Sequence, residues 1–306
     1  MSDLKGKLLI TGGRGFIGQN FLHLCASNLD LEVITLSRGK GQGDFQHYSV
    51  NMLDNEALKR SIINIKPTYV LHLAANVFTN NFDSLVKTNV LGTYHLLQAI
   101  AMLNMPCRVL LANSSAVYGM VSKKNMPISE SQSCKPVSNY GLTKKWMSEL
   151  SGKFDFTDVD IIEARIFNLL GPGITNKLVA GAFFKRIMDF KANKLKKPLI
   201  FKELSSIRDF LDVRDVCSAL YLLLSQGRGK NIYNVCSNEP VRIERLLKVM
   251  IEISSINIEY LVTNEGMTTK GINVSYGDNT KLIKQTGWQR KYSLEESVKR
   301  MFNGDK

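Results

Sequence analysis

Tyr140 and Lys144 stand four residues apart in Tyr140-Gly141-Leu142-Thr143-Lys144, a spacing that puts both side chains on one face of a helix. A phenol with an ordinary pKa of ~10 exchanges protons poorly near neutrality unless a cation steadies the phenolate, and Lys144 is placed to be that cation. About twenty residues earlier an apolar run, Arg108–Ala112, ends in Asn113-Ser114-Ser115-Ala116-Val117-Tyr118-Gly119. A hydroxyl there, Ser114, would hold a carbonyl or alkoxide oxygen against Tyr140. Together the three residues read as proton-transfer machinery for a carbonyl–alcohol interconversion. On its own, a tyrosine four residues before a lysine is a common accident of amphipathic helices. The reading therefore depends on the elements that must position the trio.

Those elements begin with Leu8-Leu9-Ile10-Thr11-Gly12-Gly13-Arg14-Gly15-Phe16-Ile17-Gly18, a buried strand feeding a glycine turn that opens a helix. Gly12, Gly15 and Gly18 let backbone N–H groups approach phosphate oxygens, and the helix starting near Phe16 adds its N-terminal dipole, which is how a dinucleotide pyrophosphate is held. The second strand ends Leu36-Ser37-Arg38. An acid at that point selects NAD through the ribose hydroxyls. A small hydroxyl beside a guanidinium suits a 2′-phosphate instead, with Arg14 as a second cation, so NADP(H) is favoured and NAD is possible. The competing reading makes Arg38 and Lys40 the start of a solvated basic loop.

Apolar runs then alternate with helical periodicity, predicting an α/β fold: a doubly wound parallel Rossmann sheet with a smaller C-terminal lobe. Strands are expected at Lys7–Ile10, Glu32–Leu36, His47–Val50, Tyr69–Leu73, Arg108–Ala112, Asp160–Arg165 and Asn231–Val235, and helices at about Phe16–Ser27, Asn55–Ile65, Asn81–Asn104 and Asn139–Phe154. Beyond Phe167 the pattern loosens at Gly171-Pro172-Gly173, before helix-like stretches at Leu178–Leu195, Ile243–Ile253 and Leu294–Phe302. The expected division is 1–166 for the dinucleotide and 167–306 mainly for substrate, with returns to the sheet near 209–236.

Composition is that of an ordinary globular chain, with 306 residues and 44% hydrophobic content. No apolar stretch reaches the roughly 18–20 residues of a membrane span and the N-terminus lacks a signal-peptide layout, so a cytoplasmic protein without a membrane partner is expected. Five scattered cysteines, Cys25, Cys107, Cys134, Cys217 and Cys236, form no C-x-x-C pair and suggest reduced thiols and no metal site. The formal charge of +13 is dispersed apart from Lys191, Lys194, Lys196 and Lys197, which fits anionic small molecules better than nucleic acid. His72 and His95 read as structural.

In this order the motifs resemble the extended short-chain dehydrogenase/reductase family, the nucleotide-sugar epimerases, dehydratases and reductases. The resemblance runs from Thr11-Gly12-x-x-Gly15-x-x-Gly18 through Leu73-Ala74-Ala75, Thr88-Asn89-Val90-x-Gly92-Thr93, Ser114 to Tyr118-Gly119 and Tyr140 to Lys144. It continues with Arg165-Ile166-Phe167-Asn168, Gly171-Pro172, Arg208-Asp209-Phe210, Tyr233-Asn234-Val235 and Gly287-Trp288. It implies catalysis by Ser114, Tyr140 and Lys144. It also implies a cofactor site made by Gly12, Arg14, Gly15, Phe16, Ile17, Gly18, Ser37, Arg38, Asn51, Met52, Leu73, Ala74, Ala75 and Asn89 with the catalytic pair, and a nucleotide-sugar diphosphate held by Asn168 and Arg208. A homodimer through the helices at Asn81–Asn104 and Asn139–Phe154 is a further implication. The family's dehydratases carry an acidic pair where this chain has Ser115 and Ala116, which removes the acid/base groups an elimination needs. Lys270 and Asp278 are the nearest match to a further arginine–aspartate feature of many members. The expectation is an NADPH-dependent reductase of a nucleoside-diphosphate 4-keto-6-deoxyhexose; the alternatives are a 4-epimerase with bound NAD and a non-catalytic NADP-binding protein.

Overall fold

Leu8, Leu9 and Ile10 are all fully buried, so this strand does not alternate inside and out; it is covered on both faces, as the central strand of a parallel sheet must be. The computed structural model describes residues 4–41, 43–154, 157–195, 198–202, 204–263 and 272–304; Lys196, Lys197 and Lys270 lie outside the described residues. The first half alternates as β1 (Gly6–Thr11), α1 (Phe16–Cys25), β2 (Leu31–Ser37), β3 (Gln46–Ser49), α2 (Asn55–Ile65), β4 (Tyr69–His72), α3 (Phe82–Val86), α4 (Gly92–Ala101), β5 (Cys107–Ser114), α5 (Asn139–Ser151) and β6 (Val159–Ile166). There follow β7 (Asn168–Leu170), α6 (Val179–Lys191), β8 (Leu199–Lys202), β9 (Ile207–Arg208), β10 (Phe210–Asp212), α7 (Val213–Gln226) and β11 (Asn231–Val235). The chain ends with β12 (Val241–Arg242), α8 (Ile243–Ser254), β13 (Tyr260–Thr263), β14 (Val274–Ser275), α9 (Thr280–Thr286) and α10 (Leu294–Asn303).

Seven strands form one parallel sheet in the order β11-β6-β5-β4-β1-β2-β3. The order reverses between β1 and β4, and an open parallel sheet binds its ligand at the carboxyl ends of the strands flanking such a reversal. One face packs on α1, α7 and Trp288, the other on α2, α4 and α5. A third core, around Phe183, Phe201, Leu247 and Val298, joins α6, α8 and α10 to short strands away from the sheet. Those strands pair as β7 with β10, β8 with β13, and β9 between β12 and β14.

The continuous helix expected over 81–104 is interrupted. One turn of π-helix, Lys87–Leu91, separates α3 from α4 and contains the fully buried Asn89. The physical reason lies in the bonds that side chain makes. Its amide donates to the carbonyl of Asn76 (2.9 Å) and to Thr143 Oγ1 (3.0 Å), while its oxygen accepts from Asn76 N (2.7 Å), so the backbone is widened there to aim one amide at two other segments.

Candidate active site

Gly12 has φ +74°, and a Cβ on it would stand 2.6 Å from Ala74 N and 2.7 Å from the Leu73 carbonyl carbon. The turn is thereby pressed against the end of β4, at the reversal of strand order. Gly18 would place a Cβ 2.5 Å from the Gly12 carbonyl oxygen, so α1 starts directly over the exit of β1. Gly15 caps α1 without a side-chain hydrogen bond and no acid lies in its first turn, leaving an electropositive helix end. Phe16 packs beneath Gly171, its ring 3.2 Å from where a Cβ would sit, and Ile17 offers its carbonyl to Cys217 Sγ at 3.7 Å. Leu73 N donates to Thr11 O (3.1 Å) and Ala74 N to Thr11 Oγ1 (3.3 Å), leading into the half-buried Ala75.

At the end of β2 the Ser37 hydroxyl is buried with no hydrogen-bond partner among the described residues, beside exposed Arg38. Arg14 reaches over the following turn: a Cβ on Gly39 would stand 2.3 Å from its Nη1. An orphaned hydroxyl, two guanidinium side chains on adjoining turns and an uncapped helix end fit a dinucleotide with a phosphorylated ribose. Asn51 turns its Oδ1 to Leu53 N (3.2 Å), and the buried Met52 gives its carbonyl to His95 Nδ1 (3.0 Å). Both therefore stabilise the β3–α2 turn in this structure.

Ser114, at the carboxyl end of β5, receives Ala116 N on its hydroxyl at 3.2 Å, while its own N–H donates to Asn113 Oδ1 at 2.8 Å. Its hydroxyl lies near enough to the Tyr140 phenol to pull that group's pKa down. α5 delivers Tyr140 to this point because Gly141 has no side chain: a Cβ there would be 2.6 Å from the Ala116 carbonyl oxygen. Lys144, buried, donates from Nζ to the Ala112 carbonyl at 2.8 Å. Burial pushes its ammonium down to about 8 against the opposing pull of Glu163. Burial raises the Tyr140 phenol to about 12 and outweighs the opposing influence of Ser114.

Four buried polar residues around the trio, Thr11, Thr93, Asn113 and Thr143, and the half-buried Asn76 have roles that sequence reasoning did not assign. His72, on β4, links two of their elements, with Nδ1 2.7 Å from Thr11 Oγ1 on β1 and Nε2 2.9 Å from Thr93 Oγ1 on α4. Since Thr93 Oγ1 donates to Asn89 O (2.8 Å), it accepts from Nε2–H of a neutral imidazole, and burial, helped by Lys144, lowers that ring to about 3. Asn113 Nδ2 donates to Lys144 O (3.1 Å), pinning α5 to β5. The available signal was a small polar residue inside an otherwise apolar strand or helix.

The two expected substrate contacts lie close together on β7 and β9. Asn168 Nδ2 donates to Asp209 O (2.8 Å), and the Arg208 guanidinium donates to Ile207 O (2.8 Å) and Ile272 O (2.6 Å). Asp209 is fully buried and accepts from Ser237 N, Ser237 Oγ, Asn238 N and Gly277 N at 2.7–3.3 Å; burial still raises its carboxyl to about 6.

A model of the NAD dependent epimerase/dehydratase family matches residues 8–236. The chain is 27% identical over 299 residues to a GDP-6-deoxy-D-mannose reductase of Pseudomonas aeruginosa, covering 96% of this chain and 95% of that one. It is 28% identical over 301 residues to a GDP-6-deoxy-D-talose 4-dehydrogenase of Aggregatibacter actinomycetemcomitans, covering 95% of each. Among solved structures, RMD from Pseudomonas aeruginosa complexed with NADPH superposes with a TM-score of 0.83 at 24% identity, over 97% of this chain and 98% of that one. Glycine cradle, reversal of strand order and hydroxyl–phenol pair agree with the sequence match over three quarters of the chain: it belongs to the NAD-dependent epimerase/dehydratase family of extended short-chain dehydrogenases/reductases.

Proposed function

We propose that the protein is an NADPH-dependent reductase of a nucleoside-diphosphate 4-keto-6-deoxyhexose. The observation that carries this reading is the end of β2, where an unpartnered Ser37 hydroxyl and Arg38, with Arg14 beside them, stand in place of a carboxylate. A carboxylate would repel a 2′-phosphate, whereas this arrangement offers it a hydroxyl and two guanidinium groups. Full-length similarity to a GDP-deoxyhexose reductase and a GDP-deoxyhexose dehydrogenase supports the substrate class.

Gly12, Gly15, Phe16, Ile17 and Gly18 would hold the pyrophosphate, with Leu73, Ala74, Ala75 and Asn89 lining the way to the catalytic trio. When bound, the nicotinamide supplies the hydride for the keto carbon. Ser114 orients the carbonyl oxygen by a hydrogen bond, and Tyr140, protonated through the neutral pH range, donates the proton to that oxygen. Lys144 supplies positive charge behind the phenol as negative charge develops there. Asn168 and Arg208 would bind the diphosphate from the lobe at 167–306.

The test is stoichiometry. Purified protein given the keto sugar and NADPH is expected to consume one NADPH per sugar reduced. Interconversion of C4 epimers with retained NAD and no net NADPH loss would make it an epimerase instead. Cofactor binding without turnover of any nucleotide sugar would leave only a binding protein.

A further inference from the structure

A histidine outside the catalytic trio supports the turn that presents the expected 2′-phosphate contacts. His47, the second residue of β3, stands opposite Thr35 of β2. Its Nε2 lies 2.6 Å from the Gly39 carbonyl and its Nδ1 2.9 Å from Thr35 Oγ1. A carbonyl only accepts, so Nε2 carries a proton, while Nδ1 meets a Thr35 hydroxyl that also reaches the Gln46 carbonyl at 3.4 Å. The imidazole therefore ties the turn after β2 to the body of the sheet. The same ring packs beneath Gly41, where a Cβ would stand 2.7 Å from His47 Cβ. Above the clamped turn lies the Arg14 guanidinium, and His47, Arg14, Gly13, Thr35 and Ser37 line one small depression that includes the unpartnered Ser37 hydroxyl.

We propose that His47 is a positioning residue for cofactor selectivity: by holding the Gly39 carbonyl down, it fixes the turn on which Arg14 rests beside Ser37 and Arg38. The inference rests on the NADP(H) reading above and adds to it the residue that preorganises the site. A ribose lacking the phosphate does not engage Arg14 and Arg38 and is indifferent to how rigidly they are presented.

The experiment measures KM for NADPH and for NADH in wild type, His47→Phe, His47→Gln and Gly39→Ala, with thermal melts alongside. Phe fills the space but donates nothing; Gln keeps a donor for the Gly39 carbonyl and a polar atom for the Thr35 hydroxyl. Expected for His47→Phe is an NADPH KM raised about tenfold, with the NADH KM and kcat within about twofold, and substantial recovery in His47→Gln. Gly39→Ala tests the same geometry without touching the imidazole, because its methyl must displace only the far end of Arg14, which is flexible enough to move with little cost in folding. It too should raise the NADPH KM selectively. Equal losses with both cofactors, or an NADPH KM unmoved in His47→Phe whatever Gly39→Ala does, would overturn the proposal. Wild type that does not prefer NADPH at all would instead refute the cofactor reading beneath it.

Discussion

Tyr140 and Lys144 titrate in opposite senses from what their bare chemistry suggests. Burial holds the phenol protonated, at about 12, and brings the ammonium down to about 8. Tyr140→Phe should lower turnover by roughly 10²–10⁴-fold while NADPH still binds, measured by steady-state kinetics and fluorescence titration. For Lys144, kcat/KM at subsaturating NADPH reports the free enzyme and is expected to fall as pH rises through about 8, where the ammonium is lost. The effect on stability runs the other way. With a folded pKa of about 8 and an ordinary value of 10.5, the unfolded chain binds more protons between those limits, so stability rises with pH across that window. Below it, the buried charge is a constant penalty. Lys144→Met should therefore be inactive yet at least as stable as wild type at pH 7, by roughly 1–3 kcal/mol at most, and thermal melts should show the gap closing toward pH 10.

At the scale of elements, the catalytic groups depend on close approaches that only particular residues permit. α5 meets the turn after β5 at Gly141, where any Cβ would collide with the Ala116 carbonyl at 2.6 Å. Gly141→Ala should push the helix N-terminus away, costing about 1–3 kcal/mol in urea unfolding and lowering kcat more than it raises the NADPH KM. In the other lobe, Asp209 gathers the segments at 237–238 and 277 by four hydrogen bonds on two carboxylate oxygens. Asp209→Asn keeps the shape but replaces one acceptor oxygen by a donor facing N–H groups. It should destabilise by about 2–4 kcal/mol, and the nucleotide-sugar KM should rise because Asn168 hangs on the Asp209 carbonyl. An unchanged melting curve would show that the carboxylate does not hold these segments together.

For the whole molecule, the reversal of strand order between β1 and β4 gathers the glycine turn, the ends of β4 and β5 and the N-terminal half of α5 at the carboxyl edge of the sheet. A ligand lying across that edge binds only the folded state. At a concentration 100-fold above its Kd, NADPH should raise stability by about 2.7 kcal/mol, read as a shift in melting temperature. NADPH should be preferred over NADH by at least about tenfold, the ~1.4 kcal/mol of one charge-assisted contact. Arg38→Ala should erase most of that preference, and adding Ser37→Asp should reverse it. If Arg38→Ala leaves the ratio of cofactor KM values unchanged, the guanidinium belongs to solvent.

Fold class was legible in the amino-acid sequence because it rests on local spacing, runs of apolar residues for buried parallel strands and three-residue glycine intervals for the turn; the proposed trio rests on a four-residue interval along one helix face and a hydroxyl at a strand end. α2 and β11 coincide with the expected 55–65 and 231–235 for the same reason. The π-turn at Asn89 was not legible, since its cause is a side chain satisfied by Asn76 and Thr143, 13 and 54 residues away. Nor were the two-residue strands β9 and β14, too short for any period, whose pairing joins Ile207 to Val274. The raised phenol of Tyr140, the neutral His72 and the clamp at His47 likewise arise from burial and from partners on other strands. Sequence spacing determined which groups share an element; only the packed sheet decided how dry each site is and which acceptor faces each donor, and those two quantities set the protonation states on which the proposed chemistry depends.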